Sequence, residues 1–396
     1  MGTAVGVGHS FHRNPEEAGR EAAVNAMKQA GIEAPDFVFV FATVGYSQDI
    51  LIGTIRKATS EAPLSGCSGE GIIAQDTVSE SNFGVAVMAI KSDELRFNNA
   101  FVTGIGHRSD IAGEHLAAEI NPFLTPDSIA CLIFPDGLFF NFDTFRATFE
   151  KFICRESPLP IFGGLSADNW STQRTYQYHN DHVFSEGISC VVMSGKGEIA
   201  YGVNHGCVPV GTKRTITRSD GNVIYEIDGV PALEALKDYF EEGWQSQWNK
   251  ISINLCLGFK TPENIRQNYE EFIIRYMITK NDRDGSVTIP CDAPEGADIW
   301  MVRRDSELIT SGLRELSRHI KEKIGTAKPK FVLHFECAGR GKVILREKVK
   351  IELISSLQKE MGGDIPWIGF YGYGEIGPVA SYNCFHNFTS VVTVVY

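Results

Sequence analysis

Three stretches of this chain repeat one order: an apolar strand, a polar or glycine-containing turn, a helix-like stretch, and a second short strand running into a loop of small residues. The first runs from DFVFVFATVGYSQD to PLSGCSGEGI, the second from SIACLIFPDGLFFN to LPIFGGLSADN, and the third from KFVLHFECAGRG to IPWIGFYGYGEIGP. Each predicts a βαβ unit. The loops that end these units hold reactive or polar side chains: Cys67, Ser68 and Glu70 in the first, Asp168 and Asn169 in the second, and Cys337, Arg340, Tyr373 and Glu375 in the third. Ligands of open α/β sheets gather beyond strand ends, so this layout predicts a binding site assembled from loops. The competing reading is three ordinary units with turn chemistry. Whether the three share one sheet or two is open at this point.

The rest of the chain fits an α/β fold of two domains, each a mixed β-sheet with flanking helices. Asn14, Pro15, Glu17 and Gly31 mark the start and end of a first helix. Asp49 to Ser60, Asp110 to Ile120, Asn141 to Cys154, Ser306 to Ile324 and Arg346 to Met361 also read as helices, and VPALEALKDYFEEGW opens another. Thr261-Pro262-Glu263 is a further N-cap signature. Short strands over 173–203 read as an antiparallel extension of the first domain's sheet. The apolar pattern breaks at Ser-Asp-Gly-Asn near 219, which places the domains at 36–221 and 222–396, with 1–35 packed on the first. SVVTVVY at the C-terminus is too apolar for a free tail.

Length and charge narrow the function classes. At 396 residues the chain exceeds what a single core usually supports. A net charge of −12 leaves no basic field for a phosphate backbone, so no nucleic-acid partner is expected. No apolar run reaches the ~18 residues needed to span a bilayer, and no secretion signal is visible at the N-terminus. Nine cysteines, none in a Cys-x-x-Cys pair, predict reduced thiols and a cytoplasmic setting.

Familiar motifs are mostly excluded. Gly372-Tyr373-Gly374-Glu375-Ile376-Gly377 spells a dinucleotide fingerprint, yet Pro378 follows and no helix does. No phosphate-binding loop of the Gly-x-x-x-x-Gly-Lys type exists. His9-x-x-His12 and His179-x-x-His182 lack a third ligand, so no metal site is expected. Cys67-Ser68 sits where a nucleophile could stand at a strand-to-loop turn, but no Gly-x-Ser-x-Gly elbow is present.

The third unit carries the most specific chemistry. The glycines of Cys337-Ala338-Gly339-Arg340-Gly341 let the backbone turn, and the Arg340 guanidinium can grip a carboxylate through two hydrogen bonds. An ion pair with Glu375 or Glu336 is the structural alternative. Arg340 beside Cys337 also predicts a favoured thiolate. Beyond the next strand, Tyr373 and Glu375 are followed by His386, Asn387 and Thr389, a polar set entering an apolar strand that needs partners.

These motifs add up to a resemblance. FxxxGCSGEGI resembles the N-terminal FIST domain, and DGVPALEAL, CAGRG, GYGEIGP and FHNFT, in that order, resemble the C-terminal FIST domain. The resemblance spans about residues 36 to 392. It implies a sensory pair of domains that binds small ligands, amino acids among them, in intracellular signal transduction. Some relatives are haem proteins that sense nitric oxide, and others carry an F-box, which is not seen before residue 36 here. No kinase, cyclase or receptor module follows residue 392, so a separate downstream signalling protein is the expected partner.

Three function classes follow. The leading expectation is a non-enzymatic sensor of an amino acid or small carboxylate, with its site between the two domains. That site uses Arg340, Tyr373, Glu375, His386, Asn387 and Cys337, with Cys67, Ser68, Glu70, Asp168 and Asn169 from the first half, and needs no cofactor. The second is a haem-based gas sensor with a histidine as axial ligand. The third is a cysteine-dependent hydrolase or transferase built on Cys67 or Cys337.

Overall fold

The structure, a computed structural model, describes residues 2–155, 158–263 and 270–396. Each of the three repeated units is a parallel strand pair. Phe37–Thr43 pairs with Leu64–Gly69, Ser128–Pro135 with Ile161–Gly164, and Phe331–Cys337 with Trp367–Gly372. The helices between them are Gln48–Ala58, Phe142–Phe152 and Glu347–Gly362.

The units lie in three separate six-stranded sheets of one topology. Each unit's first strand also pairs with an antiparallel return strand, Val85–Ser92, Ile188–Gly195 or Ser390–Val395, and beyond that lies an edge strand, Thr3–Ser10, Leu95–Val102 or Ile199–Asn204. The chain leaving each second strand then crosses to another unit's sheet. Gly71–Ala74 pairs with Trp367–Gly372, Glu375–Val379 with Ile161–Gly164, and Gln177–His179 with Leu64–Gly69. This closes a ring in which no sheet is complete without a strand from a neighbouring unit.

Strand alternation explains the ring. Phe37, Phe39 and Phe41 point to one shared core with Ala130, Leu132 and Phe134 and with Phe331, Leu333 and Phe335. Rings from all three sheets meet there, with Phe41 4.7 Å from Phe370 and 5.3 Å from Phe134, and Phe134 6.2 Å from Phe335. The opposite faces are also apolar. Val38 and Val40 pack on helices Pro15–Ala30 and Gln48–Ala58, Ile133 on Ser109–Ile120 and Phe142–Phe152, and Val332 on Ser306–Ile324 and Glu347–Gly362. Strands buried on both faces read as continuous apolar runs, which is how they appear in the sequence.

One glycine recurs in the second strand of each unit. A Cβ on Gly66, Gly163 or Gly369 would land on the carbonyl oxygen of Val40, Ile133 or His334, the paired residue of the first strand. Only hydrogen fits at that crossing.

The described residues between 207 and 304 form a second part, an eight-stranded sheet centred on the long strand Cys207–Asp220. Its Ile216, Met277, Ile289 and Met301 pack into the cluster that holds Phe142 and Phe145. The break near 219, expected as a domain boundary, is the hairpin turn between Cys207–Asp220 and Val223–Ile227 inside this sheet. The strands expected over 173–203 as one extension are shared among all three sheets of the ring.

The helical expectations match closely for Pro15–Ala30, Gln48–Ala58, Ser109–Ile120, Phe142–Phe152, Ser306–Ile324 and Glu347–Gly362. The Asn14 side chain accepts from the Glu16 and Glu17 N–H groups, and Gly31 closes the first helix at φ 66°. Glu17 pairs with His12 at 2.6 Å. The helix expected over VPALEALKDYFEEGW is cut to Ala232–Leu236, because the chain turns so that Phe240 packs on Trp244 and Trp248. The helix that Thr261-Pro262-Glu263 predicts runs onto residues outside the described set. Among the described residues, no helix is long and apolar enough to cross a membrane.

Candidate functional site

The loops that follow the three second strands meet at one end of the ring. Glu70 from the first, Asp168 from the second and Tyr373 from the third make a single hydrogen-bonded junction, with the Tyr373 hydroxyl 2.8 Å from both Glu70 Oε1 and Asp168 Oδ1. One phenolic proton cannot be given to two carboxylates. The hydroxyl is placed to donate to Glu70 Oε1 or to Asp168 Oδ1, one at a time. The Trp170 N–H also reaches Glu70 Oε1, at 2.6 Å, and the Tyr373 oxygen, at 2.8 Å.

The surroundings push the two acids in opposite directions. Burial raises the Glu70 carboxyl to about 7, against the lowering effect of its Tyr373, Trp170 and Lys342 contacts. Asp168 is also raised by burial, but its bonds outweigh that, and it lies below its ordinary range. It accepts from Ser171 Oγ and from the N–H groups of Thr172, Gln173 and Arg174. Those bonds hold Asn169, Trp170 and Thr172 at φ of 60°, 59° and 50°. Such backbone is costly for residues other than glycine, and in proteins it clusters at functional sites. Burial and the flanking carboxylates push the Tyr373 phenol up, so it stays a proton donor.

Lys342 completes the junction. Its Nζ donates to Asn169 Oδ1 at 2.8 Å and lies 3.7 Å from Glu70 Oε2, an oxygen with no hydrogen-bond partner among the described residues. Its side chain is 38% exposed, while Glu70 is buried. Asn169 Nδ2 donates to Asn82 Oδ1 at 3.1 Å, and Asn82 lines an open cleft of about 620 Å³ with Phe11, Arg13, Phe83 and Ile351. Behind the junction, Glu80 accepts from Lys350 Nζ at 2.5 Å and from the Lys342 N–H at 2.6 Å. A Cβ on Gly341 would strike Glu80, which explains the second glycine of CAGRG.

Lys342, Trp170 and Glu80 were not among the expected site residues. Lys342 directly follows the CAGRG motif and Trp170 follows Asp168-Asn169, so adjacency was the available signal. Glu80 carries none.

The remaining expected residues serve the scaffold. Arg340 is buried, and its Nε donates to Glu336 Oε1 at 2.6 Å while Nη1 donates to the carbonyls of Asn204 and His205. This is the ion-pair alternative, and it corrects the carboxylate clamp. Burial raises the Glu336 carboxyl, but Arg340 and His334 outweigh it and hold it below its ordinary range. Glu375 is fully buried and accepts from Thr389 Oγ1 at 2.6 Å, and burial pushes it well up. Asn387 Oδ1 accepts from the Tyr276 N–H. Ser68 Oγ donates to Ala167 O at 2.7 Å and accepts from the Tyr176 N–H, bracing one loop on another.

The cysteine chemistry changes as well. Cys67 and Cys337 are buried, and burial pushes both thiols well above their ordinary value, so the thiolate expected at Cys337 is disfavoured. Cys154 is the exposed thiol of the nine. A limiting electrophile should label Cys154 first and Cys337 only slowly, as read by mass spectrometry of the native protein. Rapid labelling at Cys337 would contradict the buried geometry.

The buried histidines His334 and His386 are engaged within the protein. His386 is fully buried, its Nε2 lies 2.9 Å from Gly377 O, and burial pulls it down to about 3. His334 binds Glu336 and Ser390 through Nε2 and faces Trp367 Nε1 through Nδ1. No histidine lines the cleft beside the junction. Among the described residues, no group of three His, Cys, Asp or Glu side chains is placed to hold a metal ion.

The chain is similar in sequence to proteins of other organisms. An uncharacterised protein of Mycobacterium tuberculosis strain CDC 1551 is 27% identical over 98% of this chain and 98% of its own length. An uncharacterised protein of Methanocaldococcus jannaschii is 26% identical over 58% of this chain and 46% of its own. Among solved structures, a chorismatase aligns at TM-score 0.38 and 8% identity, covering 100% of this chain and 99% of that one. The FIST N domain model matches residues 36–230 and the FIST C domain model residues 232–378. The chain therefore belongs to the FIST family, whose domains are associated with signal transduction and small-ligand sensing.

Proposed function

We propose that this protein is a cytoplasmic sensor that binds a small zwitterion or carboxylate, an amino acid being the simplest case, at the Glu70–Asp168–Tyr373–Lys342 junction. The observation that carries the reading is the buried Glu70 Oε2, without a hydrogen bond among the described residues and facing the half-exposed Lys342 ammonium. A ligand ammonium would complete the first and a ligand carboxylate the second. Glu70 and Asp168 lie within the region matched by the FIST N model, and Lys342 and Tyr373 within that matched by the FIST C model. A ligand bridging them can bias one arrangement of the two over another and so signal to a separate downstream protein.

Thermal-shift titration with amino acids and small carboxylates tests the reading. Saturation at one hundred times the Kd stabilises the fold by about 2.7 kcal/mol. Lys342→Met should abolish the shift and Arg340→Lys should leave ligand affinity unchanged. No shift with any ligand of these classes would sink the proposal.

The junction also has a stability signature. Unfolded Glu70 titrates near ~4.3, whereas folded Glu70 titrates at about 7. The folded state therefore holds the extra proton between these values, and this group's contribution to stability falls as pH rises from the lower to the higher. Glutamine does not ionise, so Glu70→Gln should be more stable than wild type at pH 8 by on the order of 2 kcal/mol, with the gap closing toward pH 4. Denaturant melts at both values check this, and a pH-independent difference would refute it.

A further inference from the structure

The open cleft beside the junction has walls and donors of its own. Its volume of about 620 Å³ lies within the span of small-molecule sites, roughly 300–1,000 Å³. One wall is apolar and made by Phe11, Phe83 and Ile351. Phe11 is 42% exposed and Ile351 39%, so two large apolar side chains stand in water at one place. A flat apolar ligand laid against them removes both from water, and the Phe rings add stacking.

The rest of the lining is rich in unused donors. Among the described residues the Arg13 guanidinium has no hydrogen bond or ion pair, and it lies over the Phe83 ring, 5.9 Å from its centroid. A guanidinium stacked on a ring keeps its N–H edge for a carboxylate. Asn82 Oδ1 accepts from Asn169 Nδ2, which fixes the amide and leaves the Asn82 Nδ2 group unbonded among the described residues. Ser79 Oγ accepts from the Ser81 N–H, so its own O–H remains to donate. Asp76 is the one carboxylate among the described lining residues, and it is exposed.

We propose that this cleft is a ligand site separate from the junction, built for a small aromatic carboxylate. The ring lies against Phe11, Phe83 and Ile351, and the carboxylate takes the N–H edge of Arg13 and the Asn82 amide. Cation and ring meet in one place because Arg13 rests on Phe83, so a molecule with its carboxylate close to its ring satisfies both at once. The site does not depend on the reading of the junction.

The test is calorimetric titration of the full chain with phenylacetate, in wild type and in Lys342→Met, where the junction has lost its cation. Both proteins should bind it. Acetate, which has the charge without the ring, should bind Lys342→Met at least tenfold more weakly. Adding Arg13→Met to Lys342→Met should weaken phenylacetate binding by about 10–100-fold, the worth of a hydrogen bond to a charged group. Arg13→Lys should fall between, since it keeps the charge and loses the two-point contact. Phe11→Ala should weaken binding by about 2–10-fold. Arg13 and Phe11 are exposed, and unchanged melting of the unliganded variants checks that the fold is intact. No binding of phenylacetate to Lys342→Met, or affinity unchanged by Arg13→Met, overturns the site. Benzylamine, the match for Asp76, binding more tightly than phenylacetate would overturn the carboxylate assignment. Amino-acid binding at the junction is decided by Lys342→Met alone, so the two readings fail separately.

Discussion

Arg340→Ala should cost about 3–5 kcal/mol of folding stability, because it strips the partner from a buried carboxylate and leaves the charge uncompensated. The carboxylate is Glu336, 2% exposed and held between Arg340 Nε at 2.6 Å and His334 Nε2 at 2.9 Å. The same guanidinium ties this strand to the carbonyls of Asn204 and His205, so its loss also loosens the exit from the edge strand Ile199–Asn204. Arg340→Lys keeps the charge but not the fork, and should fall between alanine and wild type. The Glu336 carboxyl lies below its ordinary range when folded, so the stability it contributes is present above about pH 4.3 and is lost as pH falls through the folded value. The Arg340→Ala penalty should therefore shrink in acid. Urea melts at neutral and acid pH measure both effects, and a near-wild-type Arg340→Ala protein would show that the pair is not structural.

Gly369→Ala should be at least as damaging. The added Cβ falls on the His334 carbonyl oxygen in the middle of the parallel pair, where neither atom can swing aside as a side chain would. Relief requires the two strands to part, at a cost of about 3 kcal/mol or more, the upper end for overpacked cores. Those strands carry Phe335 and Phe370 into the central core and end at Tyr373, so the variant should both melt early and disturb the junction. Gly66→Ala and Gly163→Ala meet Val40 and Ile133 in the same way and should behave alike. A Gly369→Ala protein with wild-type melting would refute the close crossing and, with it, the equivalence of the three units.

Much of the fold was legible because its signals are local. The apolar runs DFVFVFATV, SIACLIFP and KFVLHFEC are strands buried on both faces, and the caps Asn14 and Gly31 act within one helical turn. The helix boundaries fell within a few residues of the expected ones for the same reason. The junction was partly legible: Glu70 and Tyr373 follow directly on the strand ends of their repeats, and Asp168 and Asn169 lie in the loop after Ile161–Gly164, where loop residues can converge. Arg340, Glu375 and His386 have the same residue types and the same loop neighbourhood. What separates them is position and partner: each lies off the junction and bonds there, to Glu336, Thr389 and the Gly377 carbonyl. Neither is written in a residue's identity.

By itself the sequence determined the repeated strand–helix–strand unit and its helices, because hydrophobic period and capping are properties of neighbouring residues. Only the tertiary structure decided that the units form three sheets joined in a ring by exchanged strands, and that Glu70, Asp168, Tyr373 and Lys342 share one junction. Those pairings join residues such as Gly71 and Tyr371, or Glu70 and Tyr373, that are about three hundred positions apart. They form because each unit has an apolar face that it cannot bury alone, and closing three such faces on one core brings their strand ends together.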